Sequence, residues 1–423
     1  MAADRMILGD GPWCEFSTDS NETGVNNNVL VVAASGAGKT VSITEAMLLA
    51  VYVLSMIVIV TKRRIIDKYR RLLQRRGYEV LVLDYVHPDQ GNVGYDPIDF
   101  ICSYQDITFV AKSIVMSNPR KERSNADPYW DDAAVSLLSA EIAYVMITVD
   151  NPTFDDVLRM HENLTFEECG GQIKTNYDEE FDRLEKRDPS NFAVSCWKSF
   201  KKLPIRTSSC VFGTLNTTLD SIFTPELRKM FRLKKKVNFE ELASRKTVLF
   251  VATSPVNPSL NCFINLFYSQ AFKQLFEFGE EQPDGKLPVP VHVIADDFAT
   301  GCPVYMFDQY VSIFREKGIS VTLLIQSESQ LSSMYGPDAA TTIINNCDSY
   351  VFLGSNDLRT AQNISLRANL PLEDVLYMPV GSEILFRRGQ KPIMTKRYSI
   401  MENELYQKVT REYERRITRE KEM

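Results

Sequence analysis

Short runs of apolar, mostly β-branched residues recur along the chain, each bounded by polar or glycine-containing segments. The runs lie at residues 28–33, 55–60, 78–84, 246–253, 289–296, 319–325, 348–354 and 382–386. Uninterrupted runs of this length are typical of strands buried on both faces, as in a parallel sheet. Helical patterns separate several of them, and this alternation predicts an α/β fold with a mainly parallel sheet.

The pattern changes between residues 101 and 225, where strand-like runs nearly disappear. Amphipathic stretches such as DDAAVSLLSAEIAYVMITV and FAVSCWKSFKKL replace them, with apolar residues at intervals of three and four. We predict an inserted all-α domain; the alternative is a few helices packed on the sheet without a domain of their own. The predicted division is 1–100 and 226–400 for the two parts of the α/β domain, 101–225 for the insertion and 401–423 for a charged C-terminal helix.

The C-terminal helix carries a narrow apolar stripe. Leu405, Val409, Tyr413 and Ile417 recur at every fourth residue, among six acidic and six basic residues that follow Met401. This pattern is typical either of a solvated terminal helix or of a helix that docks on a partner.

Composition narrows the class of protein. The 423 residues are 44% hydrophobic with a net charge of −7, which is typical of a globular protein and excludes a uniformly basic nucleic-acid coat. The eight cysteines form no C-x-x-C pair and there are only three histidines, which argues against a zinc site. Scattered single cysteines predict a reducing, cytosolic compartment.

Residues 33–40, AASGAGKT, follow the first buried run and resemble a phosphate-binding loop, G-x-x-x-x-G-K-[ST]. Ala33 stands where the pattern has its first glycine, and we expect alanine to be tolerated there if its φ is negative. Lys39 is expected to reach the β- and γ-phosphates of ATP, and Thr40 to place its hydroxyl on Mg²⁺. The residues predicted to bind the nucleotide are Ser35, Gly36, Ala37, Gly38, Lys39 and Thr40.

The segment that follows the loop, residues 41–60, is nearly free of charge and precedes Lys62, Arg63 and Arg64. Its length and flank fit a membrane span. The alternative is a buried helix over residues 40–53 followed by a buried strand over residues 55–60. We favour the alternative, because a phosphate loop must lead into a helix N-terminus that water and nucleotide can reach. No integral membrane segment is therefore predicted.

The run VPVHVIADDFAT places two acids directly after a buried strand. Asp296 is expected to hold Mg²⁺, and Asp297 to activate the attacking water as general base. Two adjacent acids at a strand end can instead cap a following helix, but the phosphate loop earlier in the chain favours the catalytic interpretation. ATP and Mg²⁺ are the predicted cofactors.

Two further polar residues occur where RecA-like motors have coupling groups. Gln326 follows the run at 319–325, at the strand end where open α/β sheets bind ligands, and is expected to sense the γ-phosphate. Arg315, just before that run, is expected to reach a neighbouring subunit's nucleotide as an arginine finger. The alternative for Arg315 is an ordinary surface arginine.

Together these features resemble the type IV coupling proteins, the hexameric ATPases of conjugation and type IV secretion. The stretches that carry the resemblance are SGAGKT, YDPIDF, DPYWDDAAVSLLSA, ADDFA, REKGISVTLLIQSESQLSSMYG and FLGSNDLRTAQNIS. The resemblance implies a RecA-like P-loop NTPase with an inserted all-α domain, which couples ATP hydrolysis to DNA movement through a hexamer pore. It implies the functional roles already given for Lys39, Thr40, Asp296, Arg315 and Gln326.

The chain departs from the family pattern at four points. Ala33 replaces a glycine, Asp297 replaces the usual glutamate and so has a shorter reach, and TKRR replaces the usual motif after the second strand. Members also commonly begin with transmembrane helices, which this sequence does not predict. The chain is therefore expected to be either a naturally short member or a shortened form, and its initiating Met1 favours the former.

Basic clusters supply candidate DNA contacts. Residues 62–76 carry eight basic residues and one acid, which predicts a positive helix face for DNA phosphates without sequence preference; a solvated face is the alternative. A second cluster, with Trp197 and Phe200 alongside, has the cations and aromatics of a single-strand binder, although Trp197 also suits a core; its basic members are Lys198, Lys201, Lys202 and Arg206. Lys234, Lys235 and Lys236 are candidates to line a pore or a linker.

The predicted partners follow from the resemblance. They are DNA, which is expected to be single-stranded, relaxase and relaxosome proteins, components of the type IV secretion channel, and further copies of the chain. The active form is expected to be a homohexamer, and the isolated protein a monomer. The predicted location is the bacterial cytoplasm, with recruitment to the inner face of the membrane by another protein. Two other functions stay open: an ATPase that recruits protein effectors without pumping DNA, and a nucleotide-gated docking platform with little hydrolysis.

Overall fold

The computed structural model describes residues 4–116, 128–169, 172–254, 258–298, 300 and 303–422. Asp127 and Ala299, at the ends of two of the quoted stretches, and Cys302 lie outside these residues. The strands are β1 Arg5–Ile7, β2 Glu15–Ser17, β3 Val29–Val32, β4 Ser55–Val60, β5 Glu79–Asp84, β6 Phe166–Cys169, β7 Gln172–Thr175, β8 Thr247–Ala252, β9 Val291–Ala295, β10 Ile319–Ile325, β11 Ser349–Phe352, β12 Ser382–Arg387 and β13 Ile393–Lys396.

Nine strands form one central sheet in the order β13-β12-β11-β3-β10-β9-β4-β8-β5. The seven strands from β11 to β5 are parallel, which confirms the predicted mainly parallel sheet. The run at 382–386 forms β12, but β12 pairs antiparallel with β11, and β13 continues this antiparallel edge. A buried apolar run indicates burial and not strand direction, so the sequence did not predict this edge.

Side chains of the central strands alternate between two hydrophobic layers. Leu30 and Val32 of β3 face one layer, whereas Val29 and Val31 face the other. All four are fully buried, which explains why the strand reads as a continuous apolar run rather than an alternating one. Each face of the sheet is therefore covered, as an α/β fold requires.

The helices are α1 Ser20–Thr23, α2 Glu45–Ala50, α3 Arg63–Arg75, α4 Tyr104–Met116, α5 Pro128–Thr148, α6 Phe154–Glu162, α7 Asp178–Arg187, α8 Phe192–Lys201, α9 Ile205–Ile222, α10 Pro225–Arg228, α11 Phe239–Ser244, α12 Pro258–Glu281, α13 Phe307–Lys317, α14 Glu328–Tyr335, α15 Pro337–Asn345, α16 Leu358–Ala368, α17 Leu372–Leu376 and α18 Glu404–Glu422. Helices α4 to α9 lie in the segment predicted as an all-α insertion, and their core side chains are continuous with one face of the sheet.

The prediction of an entirely helical insertion was wrong in one place. Strands β6 and β7 form an antiparallel hairpin with Phe166 opposite Thr175, between α6 and α7. These strands have four residues each and read FEEC and QIKT, which are too short and too polar to stand out as apolar runs. The assignment of domain boundaries at residues 101 and 225 stays a prediction.

The apolar segment after the phosphate loop divides into a helix and a strand. A π-helical turn, Thr40–Thr44, leads into α2, and the chain enters β4 at Ser55. The helix is shorter than the predicted 40–53, because Val51 has an extended backbone. Within the described ranges, no helix combines the length and the apolar character that crossing a membrane requires.

The C-terminal helix α18 packs on α3 of the same chain. Tyr406 and Val409 are buried there, and the Lys68 ammonium lies 3.6 Å from the centre of the Tyr406 ring. Arg75 of α3 pairs with Glu412 of α18 at 2.9 Å. The beginning of the predicted apolar stripe therefore docks within the chain.

Candidate functional site

The phosphate loop lies between β3 and the helix that starts at Thr40. Gly36 and Gly38 have φ angles of 78° and 88°, which side chains with a Cβ rarely adopt. Ala33 is fully buried, and its φ is not positive. Its backbone N–H donates to the Ile325 carbonyl at 3.1 Å, so Ala33 continues the strand pairing. Alanine therefore replaces the first glycine without backbone strain.

Lys39 points back into the loop that precedes it. Its ammonium donates to the Ala33 carbonyl at 3.0 Å, and the side chain is buried. Burial lowers the pKa of Lys39 below its ordinary value, while the negative charges of Asp297 and Asp296 act in the opposite direction. The lysine is thus held between the loop and the two acids.

Thr40 and Asp296 meet although they are far apart in sequence. The Thr40 hydroxyl donates to the Asp296 carboxylate at 2.9 Å, which joins the start of the loop's helix to the end of β9. Burial raises the pKa of Asp296 and the neighbouring Asp297 raises it further; the Thr40 hydrogen bond and the Lys39 charge lower it. The structure thus brings the predicted metal-binding pair together.

The donor set at this position suits a hard cation. A hydroxyl and a carboxylate offer only oxygen ligands, and Mg²⁺ is commonly held by one or two carboxylates together with substrate phosphates. Over the described parts of the chain, no three His, Cys, Asp or Glu side chains cluster in a way that would hold a metal by themselves. Thr40 and Asp296 therefore fit Mg²⁺ that arrives with a nucleotide.

Asp297 has an unusual backbone. Its φ of 52° lies in the left-handed region, which aspartate tolerates better than most residues with a side chain. The Thr300 hydroxyl donates to the Asp297 carbonyl at 2.7 Å, and the Phe298 N–H donates to the Leu324 carbonyl at 3.1 Å. These bonds fix the turn that follows β9.

Gln326 lies beside the loop, whereas Arg315 lies elsewhere. In the β3–β10 register Ile325 is opposite Val32, so Gln326 is level with Ala33 and its side chain is exposed. Arg315 is exposed near the end of α13, just before β10 begins. It therefore lies at the N-terminal ends of the parallel strands, whereas the phosphate loop lies at their C-terminal ends. There it donates to the Ser20 carbonyl at 3.2 Å.

Two groups at the site were missed by the sequence analysis. A cavity of about 90 Å³ extends from the two acids to residues at the ends of β8 and on α12, among them Thr253, Asn265 and Tyr268. Arg397, just after β13, lines a second cavity beside the loop and donates to the Ala37 carbonyl. No sequence motif contains these residues, because they are distant from the phosphate loop in sequence and come close to it only when the chain is folded.

The structure corrects the interpretation of the second basic cluster. Trp197 and Phe200 are buried, and the Trp197 ring stacks on Phe181 with centroids 4.2 Å apart. These aromatic rings are core residues and not a platform for bases. Lys198 pairs with Glu185, and Lys201 pairs with Asp178 at 2.7 Å.

The helix α3 does form from the first basic run, but several of its cations have partners within the chain. Arg63 pairs with Asp84, Lys68 pairs with Glu45, and Arg76 donates to the carbonyls of α2 and the residue after it. Lys62, Arg64 and Arg71 are exposed, so the predicted DNA contact rests on the outer side of the helix. Lys235 and Lys236 are likewise paired with acids, Glu79 for the former and Asp96 and Asp99 for the latter.

The chain is similar to known proteins in both sequence and architecture. The family model for conjugative DNA transfer by the type IV secretory system matches residues 5–368. The conjugal transfer protein TraG of Agrobacterium fabrum is 24% identical over 388 residues, covering 86% of this chain and 54% of TraG. TraG of Rhizobium radiobacter is 23% identical, covering 80% of this chain and 51% of that protein. The chain thus spans about half the length of the curated relatives it matches.

Among solved structures, the bacterial conjugative coupling protein TrwBdeltaN70 superposes with a TM-score of 0.68 at 17% identity, covering 88% of this chain and 85% of that one. The plasmid coupling protein TrwB in complex with ADP and Mg²⁺ gives a TM-score of 0.67 at 17% identity and the same coverage. These likenesses confirm the RecA-like P-loop fold. Because the family model covers most of the sequence, the chain belongs to the type IV secretory system conjugative DNA transfer family.

Proposed function

We propose that this chain is an ATP-driven coupling protein that recruits a relaxase–DNA substrate and translocates it to a type IV secretion channel. The observation that carries the nucleotide part is the hydrogen bond from Thr40 to Asp296, which joins the phosphate loop to the acid-bearing end of β9. The TrwB complexes with ADP and Mg²⁺ and with an ATP analogue support the same assignment.

The loop binds the nucleotide through backbone and side chain together. The Ala37 N–H donates to the Ala34 carbonyl at 3.2 Å, so the remaining N–H groups of the loop are the donors to the phosphates. The helix that starts at Thr40 presents its N-terminus, and Lys39 supplies the positive charge. Thr40 and Asp296 would hold Mg²⁺, which when bound would neutralise charge on the phosphate oxygens.

Asp297 is the group that accepts a proton during hydrolysis. A water oxygen attacks the γ-phosphorus, the bond to the β,γ-bridging oxygen breaks, and the proton from the water passes to the Asp297 carboxylate. Gln326, level with Ala33, contacts the γ-phosphate side of the site. Arg315 lies at the end of the strands opposite to the phosphate loop of its own chain. This position supports a role at a neighbouring subunit's nucleotide in a homohexamer.

DNA is contacted through the exposed cations of α3, and the helical insertion meets the relaxase complex. The protein acts at the cytoplasmic face of the membrane, recruited there by channel components. The family match to conjugative DNA transfer supports these partners. Membrane fractionation with and without the other channel components tests the recruitment; tight membrane binding by the protein alone would contradict it.

ATP hydrolysis measured with and without single-stranded or duplex DNA tests the proposal. We expect DNA to stimulate hydrolysis, Lys39→Ala to abolish it, and the rate per chain to rise steeply with protein concentration as Arg315 is supplied by a neighbour. Hydrolysis indifferent to DNA would point to an effector-recruiting ATPase. ATP binding without hydrolysis under any condition would point to a docking platform.

A further inference from the structure

Arg397 contacts the phosphate loop at the Ala37 carbonyl, which points away from the Gly38 N–H of the same trans peptide unit. The residue follows β13, and its own N–H donates to the Gly381 carbonyl at 2.8 Å, which anchors its backbone to the turn before β12. Its guanidinium donates to the Ala37 carbonyl. In a phosphate loop the backbone N–H groups turn toward the phosphates. The hydrogen bond from Arg397 holds the Ala37 carbonyl away from the phosphates, and this favours the orientation in which the next N–H points toward them.

The guanidinium is packed directly on the loop backbone. A Cβ built on Gly38 would collide with the Arg397 guanidinium, so glycine at this position serves both the positive φ and the approach of the arginine. Arg397 also lines the cavity of about 240 Å³ that is bounded by residues 34–37 of the loop and by residues 353–356. The arginine is therefore close enough to respond to a ligand in the loop.

A buried carboxyl lies close enough to the arginine to feel its charge. Glu383 of β12 is 1% exposed, and neither of its carboxyl oxygens has a hydrogen-bond partner. Glu383 is paired in register with Thr395, which is two residues before Arg397. Residues two apart in a strand point to the same face, so the side chains of Glu383 and Arg397 lie on the same face of the β12–β13 hairpin. Burial raises the pKa of Glu383 to about 9, with Arg397 acting to lower it and Asp10 to raise it.

Among the residues that the structure describes, the polar groups near this carboxyl include Asp10, the Cys14 thiol, Thr395 and Arg397. A Cβ on Gly9 would lie 2.6 Å from a Glu383 oxygen, so the N-terminal segment closes over it. The carboxyl charge of Glu383 influences the Cys14 thiol, whose pKa is raised to about 11, chiefly by burial. Of these groups, only Arg397 is a cation that can satisfy an ionised Glu383.

We propose that Arg397 is a positioning residue for nucleotide binding, which fixes the phosphate loop through the Ala37 carbonyl, and that Glu383 is the alternative partner that withdraws it. While Glu383 is protonated, Arg397 stays on the loop and the loop is competent. When Glu383 is ionised, the arginine is drawn toward it and releases the loop. This inference rests on the proposed nucleotide site and adds residues that no phosphate-loop motif contains.

Binding of a fluorescent ADP analogue with Mg²⁺ tests the proposal. A hydrogen bond from a charged donor is worth about tenfold to hundredfold in affinity, so Arg397→Met is expected to raise the dissociation constant by at least about tenfold. Arg397→Lys keeps one charged donor, so its dissociation constant is expected to lie between those of the wild type and Arg397→Met. Arg388→Met is the matched control, because Arg388 is exposed next to the same hairpin and pairs with Asp348 away from the loop.

The pH profile separates positioning from a merely structural role. Wild type and Glu383→Gln are expected to bind alike near pH 7, and wild type is expected to weaken several-fold relative to Glu383→Gln as pH rises past 9. Parallel profiles would overturn the role of Glu383, and unchanged binding in both Arg397 variants would overturn the role of Arg397. If Arg397→Met does not fold, Arg397→Lys decides. If the wild type itself fails to bind the analogue, the proposed nucleotide site is wrong.

Discussion

Restoring the missing glycine of the phosphate loop, Ala33→Gly, is expected to weaken the protein without improving its site. Ala33 is fully buried at the end of β3 and its φ is not positive, so glycine gains no conformation that alanine lacks. Removing the buried methyl costs about 0.8 kcal/mol, and the added freedom of glycine in the unfolded chain costs about 0.5–1 kcal/mol. The sum is a loss of roughly 1–2 kcal/mol.

The measurement is thermal unfolding without nucleotide, together with the dissociation constant for ADP and Mg²⁺. We expect a lower unfolding temperature and an affinity within about twofold of wild type, since Lys39 contacts the carbonyl of residue 33 and not its side chain. Gly36→Ala is the contrasting variant. A Cβ there meets no atom within 4 Å, but the φ of 78° makes alanine strained, by about 1–3 kcal/mol, and the loop must distort.

Gly36→Ala is therefore expected to lose affinity where Ala33→Gly does not. An Ala33→Gly protein that binds nucleotide tenfold more tightly at unchanged stability would refute the reasoning. In that case Ala33 would be a defect of the loop rather than a neutral replacement.

Three further predictions concern the acid after β9, a buried histidine and the core of the helical insertion. Asp297→Asn is expected to slow single-turnover ATP hydrolysis by about 10²–10⁴ while ADP affinity changes little, because a general base is lost but its shape is kept; near-normal hydrolysis would show that another group takes the proton. Burial lowers the pKa of His292 to about 4. Between that value and about 6.5, the unfolded chain binds a proton at His292 that the folded chain excludes. The free energy of unfolding is therefore expected to decrease by roughly 3 kcal/mol as pH falls through this range. Unfolding titrations from pH 7 to 4 should show a shallower acid loss in His292→Gln but not in His87→Gln, an exposed control; equal slopes would contradict this. Trp197→Ala is expected to cost about 3–5 kcal/mol in unfolding followed by circular dichroism, and reduced single-strand DNA binding at full stability would contradict its assignment to the core.

The sequence predicted the parallel part of the fold because its signals are local. β3, β4, β8, β9 and β10 each coincide with an apolar run, since a strand covered on both faces has no polar positions. The elements it missed are short or at an edge: the β1–β2 and β6–β7 hairpins and β13 have three or four residues each, with exposed positions. Patterns so short do not differ from those of loops.

The same distinction applies to the candidate site. Lys39 and Thr40 belong to the loop that follows β3, and Asp296 and Asp297 directly follow β9. The sequence marks both strands, and the fold brings the four residues together. Arg397 carries no such mark, because its contact with Ala37 spans most of the chain and depends on the antiparallel return of β13. Trp197 beside basic residues looked like a base platform, because burial depends on the packing of α7 on α8, which the local pattern does not report.

The order of the strands bears on how the protein is made. β3 lies between β10 and β11, so the strand that leads into the phosphate loop leaves the ribosome long before either neighbour, which begin at residues 319 and 349. β5, at the end of the described sheet, pairs with β8, which follows the whole helical insertion. Until then these apolar strands have open edges that invite pairing with other chains. A cell that makes this protein is therefore expected to depend on chaperones that shield nascent chains, and the nucleotide site forms only near the end of synthesis.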